Sequence, residues 1–256
     1  MQKAKTKVTD LIQAFEAVKF EDMEFPLVHV VKTRIFDDPW FLERMAQAPA
    51  STKVGYHHAY DGGWCDHVLD MWDMLKVQPA ILGLTRLAEN SPIWMHGRQV
   101  VATELEMFLA CLMHDFHKLG DCSVKTAFYL PKMVKASRRK DETQMVQAER
   151  QPYEVNKDVW GFLQGGGKES PARSLLHLMR EHLAGGDLSL ALVCALHEDM
   201  ESMLSGRLKH AIRFSDGLYG ENSRALRNRE TMLQIMVHHV DFISAHKSKA
   251  EGGEGD

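Results

Sequence analysis

The sequence predicts an all-α protein, a helical bundle with a long polar mid-chain insertion. Apolar residues recur at three- and four-residue intervals through several long segments, the period of one helix face. Strand-like alternation is nearly absent. The stretch Lys132 to Gly167 is rich in Lys, Arg, Gln and Glu and ends in Gly165-Gly166-Gly167, which reads as an insertion or lid outside the core. With 256 residues, 45% apolar and 26% charged, the chain is long enough for one sizeable domain. Residues 1–250 are assigned to a single domain, with its core at about 49–220 and the insertion at about 131–168. Residues 251–256, Glu-Gly-Gly-Glu-Gly-Asp, read as a disordered acidic tail.

The elements follow in order. A first helix runs over about Val8 to Phe20. Val28 to Val31 is a β-branched patch that fits a short local strand. A second helix begins after Gly62-Gly63, with Trp64, Val68, Met71 and Leu75 on one face. A third carries Val101, Leu105, Phe108 and Leu112 as a stripe. A fourth covers about Leu188 to Leu204, with Leu190, Val193, His197, Met200 and Leu204 aligned. The last spans Thr231 to Ala245 through Leu233, Met236, Val240 and Ile243.

A formal charge of −4 supplies no global basic field for coating nucleic acid. The four cysteines, Cys65, Cys111, Cys122 and Cys194, form no CxxC pair; a reducing cytoplasm is expected. The start Met-Gln-Lys-Ala-Lys has no apolar signal core, and the longest apolar run, Leu188 to Leu196, is too short to span a bilayer. Trp94 and Met95 offer a face for a homodimer, although the 15 methionines also fit plastic core packing. Gly165-Gly166-Gly167-Lys168 lacks the spacing and the following Ser or Thr of a phosphate-binding loop.

The chemistry concentrates where acids and imidazoles interrupt apolar stripes. Extending the third helix's stripe lands on Asp115, beside His114, and a buried carboxylate is costly unless it is paired or bound to a metal. Adjacent residues on a helix point about 100° apart, which suits two ligands reaching one ion. His67 borders the buried face of the second helix, and Asp216 follows Ile212 and precedes Tyr219 at i, i+4, i+7. Each has a plainer explanation: a chance dipeptide at a helix end, a satisfied core histidine, a terminal Asp before Gly217. Together they give His, then His-Asp, then Asp in a mostly helical chain.

That pattern resembles the HD superfamily of metal-dependent phosphohydrolases. The run His57-His58-Ala-Tyr-Asp-Gly-Gly-Trp-Cys-Asp-His67 is similar to the entry segment of HD proteins akin to 3′–5′ exoribonucleases and of phage-encoded HD proteins, with Trp64 in place of the usual Leu. His114-Asp115-Phe-His-Lys118-Leu-Gly120 is similar to the HD-x-x-K-hydrophobic-G segment, and Phe214-Ser-Asp216 to the terminal A-D. The resemblance implies His67, His114, Asp115 and Asp216 as metal ligands, Asp115 also in catalysis, and Lys118 on a substrate phosphate. His197 before Glu198 is similar to a catalytic histidine, although Leu196 stands where relatives have a second one; Gly166 likewise replaces a histidine. By that resemblance both losses imply one divalent ion (Mn, Fe, Co, Ni, Zn or Mg), or a weakly held second one.

The expected activity is hydrolysis of a nucleotide phosphoester or phosphoanhydride by metal-activated water. The alternatives are a 3′–5′ exonuclease or phosphodiesterase for short single strands, and a catalytically weak HD regulatory protein. His57 and His58 either touch substrate or cap the second helix. Lys132, Lys135 and Arg139 share a helical face, which is either a phosphate guide or merely solvated.

Overall fold

The computed structural model describes residues 2–54, 58–81, 102–122, 125–136, 144–156, 200–214 and 232–251. The described chain is mostly helical. α1 (Gln2–Glu16) buries Val8, Leu11 and Phe15, and ends four residues before the expected boundary. α2 (Phe25–Val31) occupies the segment expected as a strand and runs straight into a π-helical turn, Lys32–Phe36. Pro26 in its first turn preorganises the helix. Leu27, Val30 and Val31, then Ile35, are buried on one side, so helical packing overrides the β-preference of Val28 to Val31. α3 (Pro39–Gln47) is capped by Asp38, whose carboxylate accepts from Trp40 N at 2.8 Å and Phe41 N at 3.3 Å.

α4 (Gly63–Ile81) and α5 (Glu104–Met113) form the centre of the core. A capping box starts α5: Thr103 Oγ1 accepts from Glu106 N at 3.1 Å, and Glu106 Oε2 accepts from Thr103 N at 3.0 Å. After Met113 the chain leaves the α-helix and makes a 3-10 turn, Phe116–Leu119. Three shorter or later elements close the described fold: α6 (Met200–Met203), α7 (Gly206–Phe214) and α8 (Met232–Glu251). α8 packs on α4, α7 and α5, while α1 packs on α3 and α4. α6 and Leu204 are the described end of the fourth expected helix; the rest of it, and Trp94 and Met95, lie outside the described residues.

The mid-chain excursion is a β-arm where it is described. β1 (Tyr129–Pro131) pairs antiparallel with β4 (Tyr153–Val155), and β2 (Met133–Lys135) with β3 (Met145–Gln147). Lys132 joins the two ladders: its N–H donates to Pro152 O and its carbonyl accepts from Ala148 N, both at 2.8 Å. The expectation that Lys132, Lys135 and Arg139 share a helical face is therefore corrected. Lys132 and Lys135 lie on extended chain, and Arg139 is outside the described residues. Pairing of Met133–Lys135 with Met145–Gln147 holds this segment extended. Tyr153 Oη donates to Asp61 at 2.6 Å, and Val54 N donates to Arg150 O at 3.2 Å, which ties the arm's base to the loop before α4.

No helix among the described residues is long and apolar enough to cross a membrane.

Candidate metal centre

Gly63 starts α4 where no other residue fits, because a Cβ there would sit 2.0 Å from the His58 carbonyl oxygen. One turn on, α4 presents His67, fully buried. α5 delivers His114 as the residue that caps its C-terminus, still at helical φ −59 and ψ −36. Asp115 then breaks away with φ −117 and ψ 25. The doublet thus sits at a helix-to-turn junction and not within one helix, and this bend brings both side chains to the same point. Trp64, also fully buried, fixes the bend: its indole N–H donates to Asp115 O at 3.2 Å, and its ring meets Phe116 edge-on at 6.4 Å. Gly120 ends the turn with φ 113, where a Cβ would meet Thr126 O at 2.2 Å.

His67 Nε2 and His114 Nε2 face each other at 3.3 Å. Asp115 Oδ2 is 3.3 Å from His114 Nε2 and 3.9 Å from His67 Nε2. One ligand atom from each of these three buried residues lies within 4.8 Å of the others. A fourth group comes from α8: Asp241 Oδ1 is 3.1 Å from His67 Nε2 and 3.9 Å from His114 Nε2. Two donors each about 2.1 Å from a common ion stand roughly 3.0–3.4 Å apart at tetrahedral or octahedral angles. The shorter separations here match that, and the imidazole–carboxylate set suits a divalent transition ion.

The outer contacts aim the donors inward. His114 Nδ1–H donates to the Cys111 carbonyl at 2.7 Å, which leaves Nε2 for the centre. His67 Nδ1 lies 3.0 Å from the hydroxyl of Ser244, fully buried on α8. With Nδ1–H donating to that oxygen, Nε2 presents its lone pair. Burial pushes His67 below the usual imidazole range, against the pull of Asp241. For His114, burial acts the same way but is outweighed by Asp115 and Asp241, which raise it to about 9. Burial would raise Asp115, yet Lys118 and His114 hold it well below the carboxylate range. Asp241, buried as well, is brought to about 2 by His67 and His114.

Among the other predicted residues, Lys118 ion-pairs with the Asp115 carboxylate from the 3-10 turn. His58 is buried: Nδ1 is 2.9 Å from Tyr60 Oη, Nε2 is 3.2 Å from Asp70 Oδ2, and its ring is 5.9 Å from that of His67. That placement holds the ring between Tyr60 and Asp70, beside His67 of α4. Lys135 is exposed on the arm. His57, Asp216 and His197 lie outside the described residues, as do Leu196 and Gly166.

Asp241 and Ser244 escaped the sequence reading. Their signal is present: Val237, Asp241 and Ser244 follow i, i+4, i+7, the same criterion that singled out Asp216. The choice of Ile243 as a core position hid it. Ile243 is 37% exposed, while Val237, Val240 and Ser244 are buried, so the inward face of α8 is rotated towards Asp241.

Searches among protein-family models, curated proteins and solved structures return no match to this chain.

Proposed function

We propose that the protein is a metal-dependent phosphohydrolase acting on a nucleotide, with one divalent ion held by His67, His114, Asp115 and Asp241. The observation carrying this reading is the convergence of two imidazole Nε2 atoms and two carboxylates from α4, α5 and α8, with both Nδ1 atoms occupied elsewhere. Donor sets held this way are built for ligation; a merely structural histidine needs no such aim. The likeness of His67, His114-Asp115 and Lys118 to the HD signature selects phosphoester chemistry among the reactions such a site supports.

When bound, the ion would acidify water and withdraw charge from a phosphoryl oxygen. The chain's own groups set the stage. His67 and His114 offer neutral nitrogens once His114 gives up its proton. Asp115, kept ionised by Lys118 and His114, supplies negative charge and accepts a hydrogen bond. Lys118 meets the substrate phosphate from the rim and offsets its charge. Trp64 and Phe116, both fully buried, back the turn that carries Asp115.

One observation favours a short single strand as substrate: the arm carries exposed Lys135 beside exposed Met133 and Val134. Reversing Lys135 and Arg139 should then weaken oligonucleotide turnover and spare mononucleotides. Equal loss on both would reject that guide role. The activity itself is tested by a screen of nucleoside phosphates, cyclic nucleotides and short oligonucleotides with Mn, Mg, Co and Ni. Metal-dependent release of phosphate or nucleotide is expected. No turnover of any of them by the metal-loaded protein would overturn the reading.

A further inference from the structure

The loop before α4 carries a buried histidine that the four-residue metal centre does not use. His58 adopts φ 50, the left-handed region that a non-glycine residue seldom enters. Its carbonyl accepts from Ala50 N at 3.1 Å and lies so close to Gly63 that no Cβ fits between them. The backbone is thus pinned in that conformation, with the ring buried 5.9 Å from the ring of His67. Nδ1 is 2.9 Å from Tyr60 Oη, and that hydroxyl donates to Asp66 at 2.6 Å. The phenol's single proton goes to Asp66, so Nδ1–H donates to the phenol oxygen and Nε2 keeps its lone pair. Nε2 in turn faces Asp70 Oδ2 at 3.2 Å, and the two make no hydrogen bond. A buried nitrogen lone pair and a carboxylate oxygen repel at that distance unless a cation lies between them.

We infer that His58 and Asp70 hold a second divalent cation, one that enters with the phosphate of the substrate. Their separation falls in the range of roughly 3.0–3.4 Å for two donors on one ion. The engaged Nδ1 repeats the aim that His67 and His114 show. Asp70 follows His67 by one turn of α4, so the two lie on one side of that helix. Its side chain is 29% exposed where that of His67 is sealed, which opens the position to solvent and substrate. One imidazole and one carboxylate are too few donors for a tight site. Mg or Mn held by so few protein groups completes its shell with water and phosphate oxygens. The positions of Gly166 and Leu196 do not touch on this pair, which supplies its own imidazole. The inference rests on the phosphohydrolase reading and deepens it: the substrate phosphate is taken as its metal complex.

The test is manganese binding to the full chain by equilibrium dialysis, with and without inorganic phosphate. Wild type is compared with Asp70→Asn, His58→Gln and Asp73→Asn, the last an exposed acid on the same helix. One ion per wild-type chain is expected without phosphate and two with it. Asp70→Asn and His58→Gln should keep the first ion and lose the second, halving the manganese bound in phosphate, while Asp73→Asn should match wild type. A wild type that holds one ion in phosphate, a second ion that survives both substitutions, or loss of the first ion along with the second would overturn the inference and leave the phosphohydrolase reading in place. Failure of wild type to bind manganese under either condition would overturn both.

Discussion

Ser244→Ala tests the way α8 completes the site. The hydroxyl is fully buried, 3.0 Å from His67 Nδ1, and alanine removes it with little change of shape. Losing such an outer partner typically weakens metal binding about 10–100-fold, or roughly 1.4–2.7 kcal/mol. The same range follows independently from leaving a buried imidazole N–H unpaired, about 1–3 kcal/mol. The loss should therefore appear twice. Chelator competition should show the weakened affinity, and thermal melts without metal should show a Tm lower by about 2–4 °C for each kcal/mol. Asp241, one turn earlier on the same helix, should still reach the ion, so binding should weaken and not vanish. Metal affinity within twofold of wild type would refute the claim that Ser244 fixes the tautomer of His67.

Other perturbations bear on other parts of the account. Because Asp115 and Asp241 outweigh burial and raise His114 to about 9, an entering ion must displace its proton. Apparent metal affinity should rise about tenfold per pH unit up to that value, with about one proton released, as calorimetry in buffers of different ionisation enthalpy would show; a flat profile would contradict it. Without metal, His114 contributes stability fully present below its ordinary 6.5 and lost as pH rises through about 9. Asp241 contributes stability present above its ordinary 3.8 and lost as pH falls through about 2. Trp64→Leu should cost about 2–4 kcal/mol through lost volume and the undonated Asp115 carbonyl, read by denaturant unfolding; a cost under about 1 kcal/mol would show the indole bond to be dispensable. Gly63→Ala should destabilise by about 3 kcal/mol, because its Cβ would collide with the His58 backbone, and an unaltered unfolding midpoint would deny that close approach.

The helical core was legible in the sequence because its stripes are long and deeply buried. Leu105, Phe108 and Leu112 on α5, and Trp64, Val68, Met71 and Leu75 on α4, are all fully buried. His67, His114 and Asp115 were legible for the same reason, as polar residues intruding on those stripes. The β-arm was not. Its strands are three residues each and mostly exposed on both faces, so burial imposes no alternation to read. The spacing of Lys132 and Lys135 then mimicked a helix face. Asp241 was hidden by a rotation of α8 that only tertiary packing sets: Ile243 is the more apolar choice for the core, yet Ser244 is the residue turned inward. The bend at Asp115 was invisible too, since it depends on the Trp64 indole reaching across from α4. Local pattern fixed which residues could serve the site; long-range contacts determined which of them meet.

The central claim is that one divalent ion at these four side chains enables hydrolysis. Equilibrium dialysis with Mn, Co or Zn and elemental analysis, run beside phosphoester hydrolysis on the same samples, tests it most directly. The account predicts one ion per wild-type chain, and neither bound metal nor turnover in His114→Ala or Asp241→Ala, with Asp216→Ala as the comparison that decides between the two carboxylates. Full hydrolysis by a His114→Ala protein free of metal would contradict it.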